Sequence, residues 1–116
     1  MKKLVPIVLV VVMGLSACNT MQKSLYSWSN YNVTSYNYLK NKDEKSASEL
    51  IKTYELIIAK QKGSREVVPP GIYADYGYML IQSGKTEEGV KMMKMEVSLY
   101  PESAKFVSNI LKTVEK

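Results

Sequence analysis

Apolar residues recur at helical spacing through most of this chain, in runs separated by glycine, proline and short polar stretches. The clearest run holds Ala47, Leu50, Ile51, Tyr54, Ile57 and Ile58 on one face, with Lys45, Glu49, Lys52 and Glu55 on the other. That is the period of a half-buried helix. Its start has two candidate capping boxes, Asn41-x-x-Glu44 and Ser46-x-x-Glu49. It is expected to stop near Gln61 and Lys62, with Gly63 as the C-terminal glycine. After a linker over residues 63–70, Pro70 is expected to open a second helix, since proline suits a first turn. Its buried face is Ile72, Tyr73, Tyr76, Gly77, Leu80 and Ile81, and Gly84 ends it. Thr86 is then read as the cap of a third helix, with Glu87 and Glu88 complementing the helix dipole. Gly89, Val90, Met93, Val97 and Tyr100 form its inner face, and Pro101 closes it.

Two weaker patterns flank these. Tyr31, Thr34, Ser35, Tyr38 and Leu39 share a face over residues 31–40, although Asn and Thr are poor helix formers. Phe106, Val107, Ile110, Leu111 and Val114 share one from about Ser103 onward, opposite Lys105, Asn109 and Lys112. The fold class expected is all-α, with about five helices in a single domain over residues 31–116.

Ahead of these helices the pattern changes. Lys2 and Lys3 precede an apolar stretch to Leu15, shorter than the roughly 20 residues of a spanning helix. Small residues then lead to Cys18. Leu15, Ser16, Ala17 and Cys18 resemble the bacterial lipobox. The resemblance implies a signal peptide over residues 1–17, then diacylglycerol and an N-acyl chain on Cys18. More than one acyl chain is needed for stable anchoring, which such a residue supplies. Asn19 in place of Asp implies sorting to the outer membrane, with the domain facing the periplasm. Residues 18–30 are expected to form a lipidated tether. Leu25, Tyr26 and Trp28 are apolar for a spacer and leave two placements open, against the first helix or at lipid headgroups.

Composition narrows the chemistry. The net charge of +5 includes Lys2 and Lys3, and the remaining basic and acidic residues alternate along helices. This does not suit nucleic acid, which calls for a clustered basic patch. The chain has no histidine and one cysteine. That removes the commonest general base and metal ligand, and excludes an internal disulfide. Met92, Met93 and Met95 read as adaptable packing rather than a soft-metal site, and Glu87 and Glu88 as dipole complements. No metal, cofactor beyond the covalent lipid, or enzymatic activity is expected.

With Pro101 as the near-terminal proline, the spacing of Tyr73, Gly77, Leu80, Gly84, Gly89 and Met93 resembles the 34-residue tetratricopeptide repeat. Gly77 and Gly89 then let two helices approach closely. Glu96 departs from the alanine that the repeat favours, which implies looser packing there. The same register places Tyr31, Ser35 and Tyr38 in an earlier, degenerate unit. The final helix becomes a cap with a polar outer face. The resemblance implies a concave face carrying Asn32, Tyr36 and Lys40 from the first unit, and Ala74, Tyr78, Ile81 and Gln82 from the second. The run from Pro69 through Leu80, with the later Leu99-Tyr100-Pro101-Glu102-Ser103-Ala104, is also similar to a Gram-negative lipoprotein family catalogued as a domain of unknown function (the 4810 family). That similarity implies neighbours resembling the curli-secretion channel lipoprotein. The function expected is a lipid-anchored periplasmic adaptor that binds an envelope protein. The alternative is a structural subunit of an envelope secretion or assembly complex, without a peptide groove.

Overall fold

The computed structural model describes residues 23–115. Over them the protein is all helical: α1 (Tyr31–Asn41), α2 (Glu44–Ala59), α3 (Ile72–Gln82), α4 (Thr86–Leu99) and α5 (Ala104–Val114). A short 3-10 turn, Pro101–Ser103, leads into α5. No strand occurs among the described residues. The chain makes two helical hairpins, α1 with α2 and α3 with α4, and α5 packs on α4.

Local chemistry moves several helix ends from their expected places. Asp43 starts α2: its side chain accepts from the Ser46 N–H at 2.8 Å, and the Ser46 hydroxyl accepts in turn from the Asp43 N–H at 3.3 Å. This reciprocal box replaces both boxes anticipated at Asn41 and Ser46. Ser46 holds the Asp43 carboxyl below its usual pKa range. The helix stops at Ala59, with Lys60 as its C-cap, four residues before Gly63. Pro70 stands outside α3, whose N-cap is Gly71. Lys85, not Thr86, precedes α4, and Thr86 is that helix's first residue. Gly84 does end the α3 hairpin arm with a φ of +91°, and the Lys85 N–H reaches back to the Leu80 carbonyl at 2.9 Å.

Between α2 and α3 lies the main core of Leu50, Tyr54, Ile57, Val68, Ile72 and Tyr73. Leu80, Met93 and Val107 are buried as well and link α3, α4 and α5. α3 and α4 approach closely because Gly77 and Gly89 face each other. A Cβ on Gly77 would stand 2.6 Å from the Gly89 carbonyl oxygen, and one on Gly89 would stand 2.5 Å from that of Gly77. Both glycines therefore spend helix propensity on proximity, at a cost of about 1 kcal/mol each relative to alanine.

The segment before α1 is docked. Ser64 and Arg65 donate their N–H groups to the Ser24 and Leu25 carbonyls at 2.9 and 3.1 Å. Gly63 is buried under that crossing, where a Cβ would collide with the Leu25 carbonyl. Its expected task as a helix stop is thus replaced by one of close approach. The Arg65 guanidinium covers the Tyr26 ring at 5.7 Å and donates to the Tyr26 hydroxyl at 2.8 Å. Residues 24–28 consequently belong to the folded domain, which shortens the spacer expected over residues 18–30. The lipobox residues Leu15, Ser16, Ala17 and Cys18 lie outside the described residues.

Candidate functional site

A row of aromatic rings crosses the first hairpin and reaches the second. Tyr26 meets Trp28 edge-on at 6.4 Å between centroids, and Trp28 meets Tyr31 at 5.8 Å. Tyr31 meets Tyr54 at 5.9 Å, and Tyr54 meets Tyr76 at 5.7 Å. Spacings of 4.5–7 Å are those of favourable ring pairs. The row binds the segment before α1, then α1, α2 and α3 in turn.

Asp75 on α3 sits beside the row. Its Oδ2 accepts from the Tyr31 hydroxyl at 2.9 Å, a contact between α1 and α3. Asp75 is exposed at the helix surface, but the rings and helices around it still desolvate its carboxyl enough to raise the pKa, which the Tyr31 hydrogen bond only partly opposes. Burial, then the Asp75 charge, pushes the Tyr31 hydroxyl up to about 12. Tyr54 is raised further in the same direction, by burial first and Asp75 second.

Two cavities flank this point. The first, of about 250 Å³, lies between α1, α2 and α3, with Tyr31, Ser35, Tyr38 and Leu39 facing Tyr54, Asp75, Tyr78 and Gln82. The second, of about 310 Å³, lies between α3 and α5 and is lined by Ala74, Asp75, Tyr78, Phe106 and Ile110. Asp75 and Tyr78 border both. Leu39, Tyr78 and Phe106 are 68, 46 and 59% exposed, so α1, α3 and α5 each leave one large apolar side chain in solvent beside the cavities, while α2 contributes the buried Leu50 and Tyr54.

The sequence-derived groove residues divide over this surface. Tyr78 and Gln82 line the first cavity. Asn32, Tyr36 and Lys40 are exposed on α1 but lie away from both cavities. The α1 side of the cavity is instead Tyr31, Ser35, Tyr38 and Leu39, one position earlier in the helical register. Ala74 is 5% exposed and forms a wall rather than a contact point. Ile81 is half-buried, its Cγ1 against Gly89. Leu39, Asp75 and Phe106 were not anticipated. The signal for Phe106 was misread: it was assigned to the packing face of α5, but the residue that packs there is Val107, 2% exposed.

The expected loosening at Glu96 is also corrected. Glu96 is 2% exposed, and its Oε1 accepts from the Gly71 N–H at 2.7 Å. The Tyr100 hydroxyl donates to the Val68 carbonyl at 2.7 Å. The last turn of α4 therefore straps the linker that aims α3. Among the described residues, no group of three His, Cys, Asp or Glu side chains could hold a metal ion. Among the same residues, no helix is long and apolar enough to cross a membrane.

These features define a small all-helical domain with a tyrosine-lined acidic cavity and no cluster of metal-binding side chains among the described residues. The chain belongs to the family described as Domain of unknown function (DUF4810), whose model matches residues 25–110. The match begins one residue after Ser24, the first residue of the docked segment. Comparison with curated proteins and with solved structures found no match.

Proposed function

We propose that this protein is a lipid-anchored adaptor of the cell envelope, its helices arranged as two tetratricopeptide-like units and a cap, binding a protein partner over α1, α3 and α5. One observation carries the reading: Leu39, Tyr78 and Phe106, one from each of these helices, are exposed around two adjoining cavities. Exposed large apolar residues gathered on one face mark interaction surfaces, whereas scattered ones do not. The first, third and fifth helices are also those that line the concave side of a repeat array. Acylation at Cys18 would place that face at the outer membrane, turned to the periplasm. Binding, rather than catalysis, is the activity that this lining of tyrosine and apolar surface around a single carboxylate suits among the described residues.

A photo-crosslinking side chain at position 78, in intact cells, tests the adaptor reading. Adducts are expected there and at position 106, and not at Lys62 or Glu102. Absence of adducts from 39, 78 and 106 alike would defeat it. Cys18→Ala is expected to abolish acyl labelling and release the chain from membranes.

A second reading, a structural subunit of an envelope assembly, has its own support. Val33 and Leu56 are 52 and 43% exposed around a cavity of about 450 Å³ on another side of the α1–α2 hairpin. Under that reading Val33→Ser and Leu56→Ser disrupt assembly while Tyr78→Ala is silent.

A further inference from the structure

Among the described residues, Asp75 is the one formal charge lining the two cavities of the α1–α3–α5 face. Its neighbours there are tyrosine rings and apolar side chains, with the neutral Ser35 and Gln82. The Tyr31 hydroxyl occupies Oδ2. No lysine or arginine among the described residues acts on its ionisation, so its charge is left to desolvation and one hydroxyl. Asp75 is exposed at the rim of both cavities, so its carboxylate is open to a cation arriving from solvent, and an opposite charge beside it is favourable.

The rings add a second attraction. Tyr31, Tyr54 and Tyr78 border the same cavity. A guanidinium or ammonium over a tyrosine face is stabilised by the ring quadrupole, more so when partly desolvated. The protein shows this chemistry elsewhere, where Arg65 covers Tyr26.

Size selects among cationic ligands. At about 250 Å³ the cavity is smaller than the roughly 300–1,000 Å³ of small-molecule sites, but suits a single side chain. The exposed Leu39 and Phe106 on either side offer apolar contact to the chain that carries it.

We propose that the cavity over Asp75 receives an arginine or lysine side chain from a segment of the partner protein, whose neighbouring apolar side chains rest on Tyr78 and Phe106. This rests on the adaptor reading and specifies the partner's chemistry. The cation pairs with Oδ1 while Tyr31 keeps Oδ2. Tyr31 thus orients the carboxylate and Tyr78 closes the cavity from the side shared with α5.

The test uses the full-length chain in detergent micelles and three capped peptides, acetyl-Leu-Ala-Arg-Ala-Phe-amide and its Gln and Glu counterparts. Binding is followed by methyl NMR of Met79 and ring signals of Tyr78. The arginine peptide is expected to bind about tenfold tighter than the glutamine peptide, with the glutamate peptide weakest. Asp75→Asn, which keeps an acceptor for Tyr31, should abolish the preference while helical circular dichroism stays intact. The wild-type comparison needs no variant, so a misfolded Asp75→Asn would not shield the proposal. Equal binding of the arginine and glutamine peptides overturns it. So does saturation of the same signals by tetramethylammonium at the concentration of the arginine peptide, which would assign the cavity to a small cation such as a lipid headgroup. Crosslinks from position 78 in cells without an arginine preference would sink this inference and leave the adaptor reading standing. Loss of both would remove the adaptor reading as well.

Discussion

Gly77 and Gly89 set the distance between α3 and α4, and alanine at either is a measurable intrusion. A methyl on Gly77 would meet the Gly89 carbonyl oxygen at 2.6 Å and the Met93 Cγ at 2.9 Å. Met93 can rotate, but the carbonyl is helix backbone and moves only with its helix. The gain of about 1 kcal/mol in helix propensity is therefore outweighed by overpacking of roughly 1–3 kcal/mol. Gly77→Ala is expected to lower the urea midpoint, and a midpoint at or above wild type would show that the helices separate at little cost. Glu96 makes a different case. Glu96→Ala removes the acceptor of the Gly71 N–H and empties a buried site, at an expected loss of about 1–3 kcal/mol. Glu96→Gln keeps an acceptor and should lose less. If thermal melts rank the two variants the other way, the strap on Gly71 is not what Glu96 contributes.

At the scale of the helix, the Asp43–Ser46 box sets where α2 begins. Asp43→Ala is expected to lower the melting temperature, while Asn41→Ala and Glu49→Gln leave the melt unchanged. Equal losses from Asn41→Ala would move the cap back two residues. The Asp43 carboxyl titrates below its ordinary 3.8, so its contribution is present above that pH and fades as pH falls through the lower folded value. These ends also show what could be read beforehand. Five helices were legible because apolar residues repeat with a helical period and glycines or prolines interrupt them. Their starts were not, because Asn41, Asp43 and Ser46 all carry capping side chains within six residues. Only the packed hairpin selects among them. The α1 register slipped by one residue for a related reason. Apart from Leu39 its face is Tyr, Ser and Thr, so no aliphatic stripe distinguishes Tyr31 and Tyr38 from Tyr36 as groove residues. Glu96 was misjudged because its partner, Gly71, lies 25 residues away. Nothing local singles out Asp75, since the hydroxyl that binds it comes 44 residues earlier.

Across the whole molecule, the tyrosine row ties stability to high pH. Neutral Tyr31 is favoured in the folded state, with its ionisation pushed from 10.0 to about 12. The stabilisation is therefore complete below pH 10.0 and is lost as pH rises through about 12. Tyr54 and Tyr76 shift the same way, chiefly through burial. An alkaline titration should show exposed tyrosines ionising first with helical circular dichroism intact. The remaining tyrosines should then ionise together with loss of helix. A single smooth titration at the free-tyrosine value, with helix retained, would mean that the row is open to solvent. Asp75→Asn should move the Tyr31 midpoint down, because the Asp75 charge is the second cause of its elevation.

The clip between residues 24–25 and 64–65 also fixes a length. Six peptide steps separate Cys18 from Ser24, where the folded domain begins to hold the chain. Fully extended, they span about 20 Å. If Cys18 carries the anchor, the domain is leashed to a shell of that depth over the lipid surface. Within so thin a shell, a partner held to the same membrane meets the domain far more often than it would in free solution. A contact too weak to isolate in dilute solution is then sufficient in place. A twenty-residue Gly/Ser insert between Thr20 and Met21 would dilute that encounter without altering any residue of the binding face.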